Sequence, residues 1–251
     1  MRLISTLVAL LLTTSSVLAQ DVTASINMTD TQRDAFRAEV RAYLIDSPGV
    51  IMEAIAVLED RQKQAEASRD ETLAQVNMNA LINDGASFVG GNPDGDITII
   101  EFVDYRCGFC RRAHPEVAEL IASDGNIRII TKEFPILGEQ SMLASQFAVA
   151  TMAVEGEKAY KLISDALMLL QSDITPASLS SIASAFDLNA DEIFAEMQSD
   201  ATKTVLANNR ALGDSMQITG TPTFVFGDQL VRGYIDLTQM RQIVEQERDD
   251  G

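Results

Sequence analysis

An α/β domain, interrupted by a block of helices and preceded by a helical extension, is the fold class this sequence predicts. Three observations carry it. Two runs of strand formers, Ile97 to Val103 and Ile127 to Lys132, flank a helix-forming stretch from Cys107 to about Ser123. Residues 139–216 then hold no convincing strand. Finally, Gly227-Asp228 joins two short strands, Thr223 to Phe226 and Gln229 to Arg232, before a closing amphipathic helix from Asp236 to about Gln246. Nearly continuous apolar character suits central strands covered on both faces. Strand–helix–strand is the crossover unit of α/β folds.

Taken in order, the chain opens with Arg2, the apolar run Leu3 to Leu12 and small residues Val17 and Ala19 ahead of Gln20. That is the pattern of a secretory signal peptide over 1–19, and its run is too short to span a bilayer; an uncleaved anchor is the alternative. No later stretch reaches the ~18 consecutive apolar residues of a membrane helix, so a soluble, exported mature chain is expected. Residues 20–84 form a helical segment. Thr29 with Gln32 makes a capping box, and Phe36, Val40, Tyr43 and Leu44 share a face. Ser47-Pro48 ends that helix and starts a second, which carries Ile51, Ile55 and Leu58 before the polar stretch Arg61 to Glu71. A helix so poor in apolar positions is either a solvated arm or an oligomerisation stalk, and the stalk is the favoured reading.

Residues 85–251 make the α/β domain. Turn chemistry at 83–85 and 90–95 brackets a short strand at Ser87 to Val89. The helical insertion, about 139–216, breaks at Gly156, at Thr175-Pro176 and at Asn189.

Composition narrows the function. With 19 basic against 37 acidic residues the net charge is −18, which argues against nucleic acid and anionic membrane surfaces as partners. The chain has 2 cysteines, Cys107 and Cys110, three positions apart. A bridge between them restrains little of the unfolded chain, so stapling is a poor explanation. Redox chemistry or a metal remains. Zinc would need further ligands, and the chain has no other cysteine and 1 histidine, His114, read as surface or local packing. Copper(I) held between the two thiolates is the alternative from a different functional class.

Cys107 follows a strand and opens a helix, where unpaired N–H groups and the macrodipole favour a thiolate. Cys107 is then the attacking sulfur and Cys110, one turn deeper, the resolving one. Arg106, Arg111 and Arg112 crowd this point, either as solvated surface or as thiolate stabilisers. Far along the chain, Thr221-Pro222 opens a strand, where a proline forfeits a ladder donor.

Cys-Gly-Phe-Cys at a helix start, a helical insertion, and Thr-Pro before a hairpin and final helix together resemble the DsbA-like branch of the thioredoxin superfamily, over roughly 87–247. Residues 28–66, with Tyr43-Leu44 and Ser47-Pro48, are similar to the N-terminal helices of ScsC- and Com1-like members, some of which are oligomeric disulfide isomerases. The resemblance implies a thioredoxin fold and a periplasmic thiol–disulfide oxidoreductase, isomerase or oxidase. It needs no cofactor beyond the redox-active Cys107–Cys110 disulfide. Its partners would be cysteine-containing polypeptides and a membrane protein that resets the cysteines, and it would be a homo-oligomer such as a trimer. It implies that Thr221 and a cis Pro222 face the cysteines and, with Gly108 and Phe109, bind substrate. It also implies that Glu101, on the face of Ile97, Ile99 and Val103, is a raised-pKa acid assisting proton transfer, with Lys132 as its basic partner. DsbA has Pro-His between its cysteines; Gly108 and Phe109 supply no such histidine, so a milder poise is expected, favouring isomerisation.

Overall fold

The computed structural model describes residues 28–250; the signal-peptide reading of 1–19 lies outside them. The chain divides into two compact units, up to Leu58 and from Glu59 onward. In the first, α1 (Asp30–Asp46) starts at the Thr29–Gln32 capping box and buries no residue. The long helix α2 (Gly49–Ile82) begins in this unit just after Pro48. Phe36, Tyr43, Ile51, Ile55 and Leu58 are all exposed.

The second unit contains the rest of α2 and a five-stranded sheet. Its strands are β1 (Phe88–Gly91), β2 (Ile97–Val103), β3 (Ile127–Glu133), β4 (Thr223–Phe226) and β5 (Gln229–Arg232), in the spatial order β1-β3-β2-β4-β5. β2 and β3 are parallel, joined by α3 (Gly108–Asp124); the other pairs are antiparallel. The insertion is five helices: α4 (Glu139–Glu155), α5 (Glu157–Leu169), α6 (Pro176–Ala185), α7 (Ala190–Glu196) and α8 (Asp200–Ser215), and α9 (Leu237–Asp250) closes the chain. Breaks fall at Gly156, at the Thr175 capping box and at Asn189 as expected. One more, where Ser199 caps α8 through the Thr202 amide, was not.

Both sheet faces are covered, which is why β2 and β3 read as apolar throughout. One face packs Ile97, Ile99 and Ile129 under Val117 and Leu120 of α3 and Met240 and Val244 of α9. The other packs Ile100, Phe102 and Ile130 with Leu212 and Met216 of α8 and with Ala74 and Leu81 of α2. The helical segment expected over 20–84 therefore does not end where a unit ends. Its last turns belong with the sheet, because Ala74 and Leu81 bury apolar surface there, and Arg232 holds Asp70 at 2.8 Å.

Gly213 of α8 lies so close to Phe134 that a Cβ would meet its ring at 2.3 Å. Phe134 is itself buried and edge-on to Phe102, and cannot retreat. Gly213→Ala should therefore lower stability by about 1–3 kcal/mol despite alanine's better helix propensity, read as a lower urea midpoint.

Candidate functional site

Cys107 is the N-cap of α3, with extended backbone. Its N–H donates to the Asp104 carbonyl at 3.0 Å, and its own carbonyl accepts the Arg111 amide at 3.1 Å. Gly108 and Phe109 are the first helical residues, leaving Cys110 one turn in. The cysteines are unbridged. Cys107 keeps 7% of its surface open and Cys110 none, so only the first is placed to attack. A second segment reaches the same point because Thr223, at the start of β4, pairs with Phe102 on β2. This brings the cis Thr221-Pro222 peptide alongside, and the Thr221 carbonyl accepts the Cys107 thiol at 3.0 Å.

The two sulfurs differ sharply. The Cys107 thiol is lowered to about 5, first because the Cys110 thiol donates to its sulfur. Burial opposes this, whereas Thr221 and the amides of Cys110 and Phe109 add to it. The Thr221 hydroxyl is buried and otherwise unpartnered, a donor available to a charged sulfur. Cys110 is pushed far above the ordinary thiol range by its bond to Cys107, then by burial, and further by the charges of Cys107 and Glu101. Near neutral pH the pair is thus one thiolate and one thiol.

Beneath them, Glu101 is buried on the α3 side of β2, and its carboxyl is pushed up to about 8 by burial and then by Glu133. The expected pairing with Lys132 does not form. β2–β3 register sets Glu101 beside Thr131 and Phe102 beside Lys132. Successive residues of a strand face opposite ways, so Lys132 lies on the far face of the sheet. There its Nζ donates to Asp84 at 2.6 Å and to the Ala80 carbonyl at 3.2 Å. Burial lowers the Lys132 pKa while Asp84 resists. Asp84 falls to about 2: burial alone would raise it, but bonds from Lys132, the Ser87 hydroxyl and two amides outweigh that.

Phe109 is 59% exposed and stacks on Tyr234 at 6.3 Å, over which the Arg112 guanidinium lies at 4.4 Å. The charge of Arg111 interacts with Cys107, and its Nε donates to the Tyr105 carbonyl. Sequence reasoning missed two buried acids. Asp104 accepts from the amides of Arg106, Ile136 and Leu137 and from the Ser141 hydroxyl. Glu133 accepts from Tyr105, Tyr160 and Ser145 at 2.6–2.7 Å, and burial nonetheless lifts it to about 7. Each sits at the end of an apolar run, where a terminal acid reads as solvated, and its donors come from distant helices.

Fold and site together define a domain of the kind that carries a helix-start cysteine pair beside a cis-proline loop. A family model described as "Thioredoxin" matches residues 83–246, and one described as "Copper resistance protein ScsC N-terminal domain" matches 32–65. The chain belongs to the thioredoxin family. It is 34% identical, at a TM-score of 0.64, to a thioredoxin-like oxidoreductase from Silicibacter pomeroyi DSS-3, covering 68% of this chain and 97% of that one. It is 27% identical, at a TM-score of 0.66, to Proteus mirabilis ScsC in a transitional conformation, covering 89% and 100%. Over 150 residues it is 29% identical to a Salinispora arenicola (strain CNS-205) protein named Na(+)/H(+) antiporter NhaA 1, covering 59% of this chain and 23% of that protein. The chain thus spans about a quarter of such curated relatives, and no helix among its described residues is long and apolar enough to cross a membrane.

Two titrations test the sulfur asymmetry. Alkylation of the reduced protein by iodoacetamide should modify Cys107 with a rate midpoint near pH 5, falling below that pH as the thiolate is protonated, and should spare Cys110. Thr221→Val removes a donor to the charged sulfur and should move that midpoint up by roughly one pH unit.

Proposed function

We propose that the protein is a periplasmic thiol–disulfide oxidoreductase acting on cysteine-containing polypeptides, and that it shuffles disulfides as an oligomer. One arrangement carries the chemistry: a partly open Cys107 with a lowered thiol, at the start of a helix, one turn from a sealed Cys110 with a raised one. In the reducing direction the Cys107 thiolate attacks a client disulfide, forming a mixed disulfide and releasing one client thiolate. Cys110 then gives up its proton and attacks Cys107, whose bond to the client breaks. The second client thiolate leaves, and the enzyme becomes the Cys107–Cys110 disulfide, oxidised by the two electrons the client gained. Reversal oxidises a client, and rescue of the mixed disulfide by another client thiol isomerises without net redox change.

Glu101 suits the proton step. A carboxyl held near 8 is mostly protonated at pH 7 with a minor ionised fraction, so it can return a proton to departing Cys110 or remove one from it. Lys132 acts instead through Asp84, as an anchor of α2 to the sheet. Phe109, backed by Tyr234, with Gly108, Thr221 and Pro222, makes the client surface. A cysteine near 5 lies between about 3.5 for DsbA and about 7 for thioredoxin. This middle value supports reversible exchange over one-way oxidation. A membrane redox partner resets the pair.

The oligomer reading rests on the first unit. Phe36, Val40, Leu44 and Ile51 line an open groove of about 450 Å³, and the ScsC-type match falls on this segment. Removing residues 28–58 should reduce the particle to a monomer by light scattering and leave single-turnover oxidation of a dithiol peptide intact. Cys107→Ser should abolish refolding of a scrambled disulfide protein, and Cys110→Ser should accumulate the mixed disulfide. The reduction potential should fall between about −120 and about −270 mV. Full activity in Cys107→Ser would overturn the mechanism, and a potential at the oxidising extreme in a monomer would overturn the shuffling reading.

A further inference from the structure

A proton taken up by Glu101 must leave again, and the partner expected to help, Lys132, is on the other side of the sheet. The α3 side offers something else. A cavity of about 60 Å³ lies against Glu101 between β2, β3, α3 and α5. At roughly 10–15 Å³ per site it has room for a few waters. Glu101, the Thr131 and Ser164 hydroxyls, His114, Lys161 and Asp165 supply its polar lining. The lining runs from a buried carboxyl to side chains that are 36% (Asp165) and 49% (Lys161) exposed, so the cavity reaches the surface.

His114 stands at the turning point. It lies four residues after Cys110 on α3, and i, i+4 side chains share a helix face. Its Nε2 is 2.9 Å from Asp165 Oδ1 on α5, while Asp165 also pairs with Lys161. Asp165 is thus tied on both sides, which fixes the imidazole at the cavity wall. Histidine gives and takes protons near neutral pH more readily than other side chains.

We propose that this cavity is the proton route for the acid under the cysteines, with His114, oriented by Asp165, passing protons between Glu101 and solvent. The inference rests on the reading that Glu101 exchanges a proton with Cys110. The balance is simple. Cys110 loses its proton to the Glu101 carboxylate as its sulfur bonds to Cys107 and the client thiolate departs. The Glu101 proton moves through cavity water to His114 and out, and no electrons are transferred along the route. Charged or titratable groups facing Glu101 and the cavity are Glu133 on β3, Cys110 and His114 on α3, and Tyr160, Lys161 and Asp165 on α5. Tyr105, following β2, connects Ser164 to Glu133 through its hydroxyl. His114 and Asp165 are positioning residues here, because neither touches a reacting sulfur.

The test is the rate at which Cys110 resolves a mixed disulfide between Cys107 and a cysteinyl peptide. It is followed in single turnover from pH 5.5 to 8.5 at low buffer concentration, with alkylation of Cys107 as control. His114→Gln should slow resolution about tenfold near neutral pH, flatten its pH profile and make the rate climb with added imidazole, which the native protein should not show. Ala118 lines the cavity and is exposed, so Ala118→Phe should plug the mouth and slow resolution without removing a hydrogen bond. Native rates and pH profiles in both variants, with no buffer dependence, would overturn the route. Glu101→Gln separates the two levels. If it slows resolution while both cavity variants do not, the route alone fails; if it has no effect, the role of Glu101 fails as well.

Discussion

The hydrogen bond between two sulfurs at the start of α3 is the constraint on which the site depends. It is the largest single cause both of the lowering of Cys107 and of the raising of Cys110. The start of a helix makes this possible, because amides of Phe109 and Cys110 add to the charge stabilisation at Cys107 while Cys110 is carried inward. Burial then sorts the roles. The sulfur with a small opening holds the charge, and the closed one holds the proton.

Everything packed around that pair maintains the difference. The sheet places Thr221 over Cys107 by pairing β4 with β2, and it places Glu101 beneath by alternation within β2. Two acids share one face of the sheet: Glu133 raises the cost of ionising Glu101, while Glu133 is itself hydrogen-bonded by Tyr105, Tyr160 and Ser145. Glu133 is satisfied by those bonds, and Glu101 is the acid that lines the cavity.

Much of this was legible in the residues. Cys-Gly-Phe-Cys after an apolar strand fixes the helix start and the order of the sulfurs, and Thr221-Pro222 before a hairpin fixes the second half of the site. The α/β domain and its helical insertion followed from the succession of runs and breaks, and the thioredoxin fold from the family resemblance. What was not legible depends on register and distance. Lys132 was matched to Glu101 by the family resemblance, but a single-residue offset in register turns its side chain to the other face. The burial of Ala74 and Leu81 is invisible within a polar helix, since an alanine carries no strong apolar signal. The Ser199 break hides in a run of polar residues that suits a continuing helix as well as a cap. His114 read as surface or local packing because its partner, Asp165, arrives from another helix.

Asp104 has a further consequence. One carboxylate grips the amides of Arg106, Ile136 and Leu137 and the Ser141 hydroxyl, so the turn that carries Cys107 and the loop after β3 are fastened to a single point. For the polypeptide client proposed above, the rim would already be set in shape, so the chain freedom lost on docking would be the client's own.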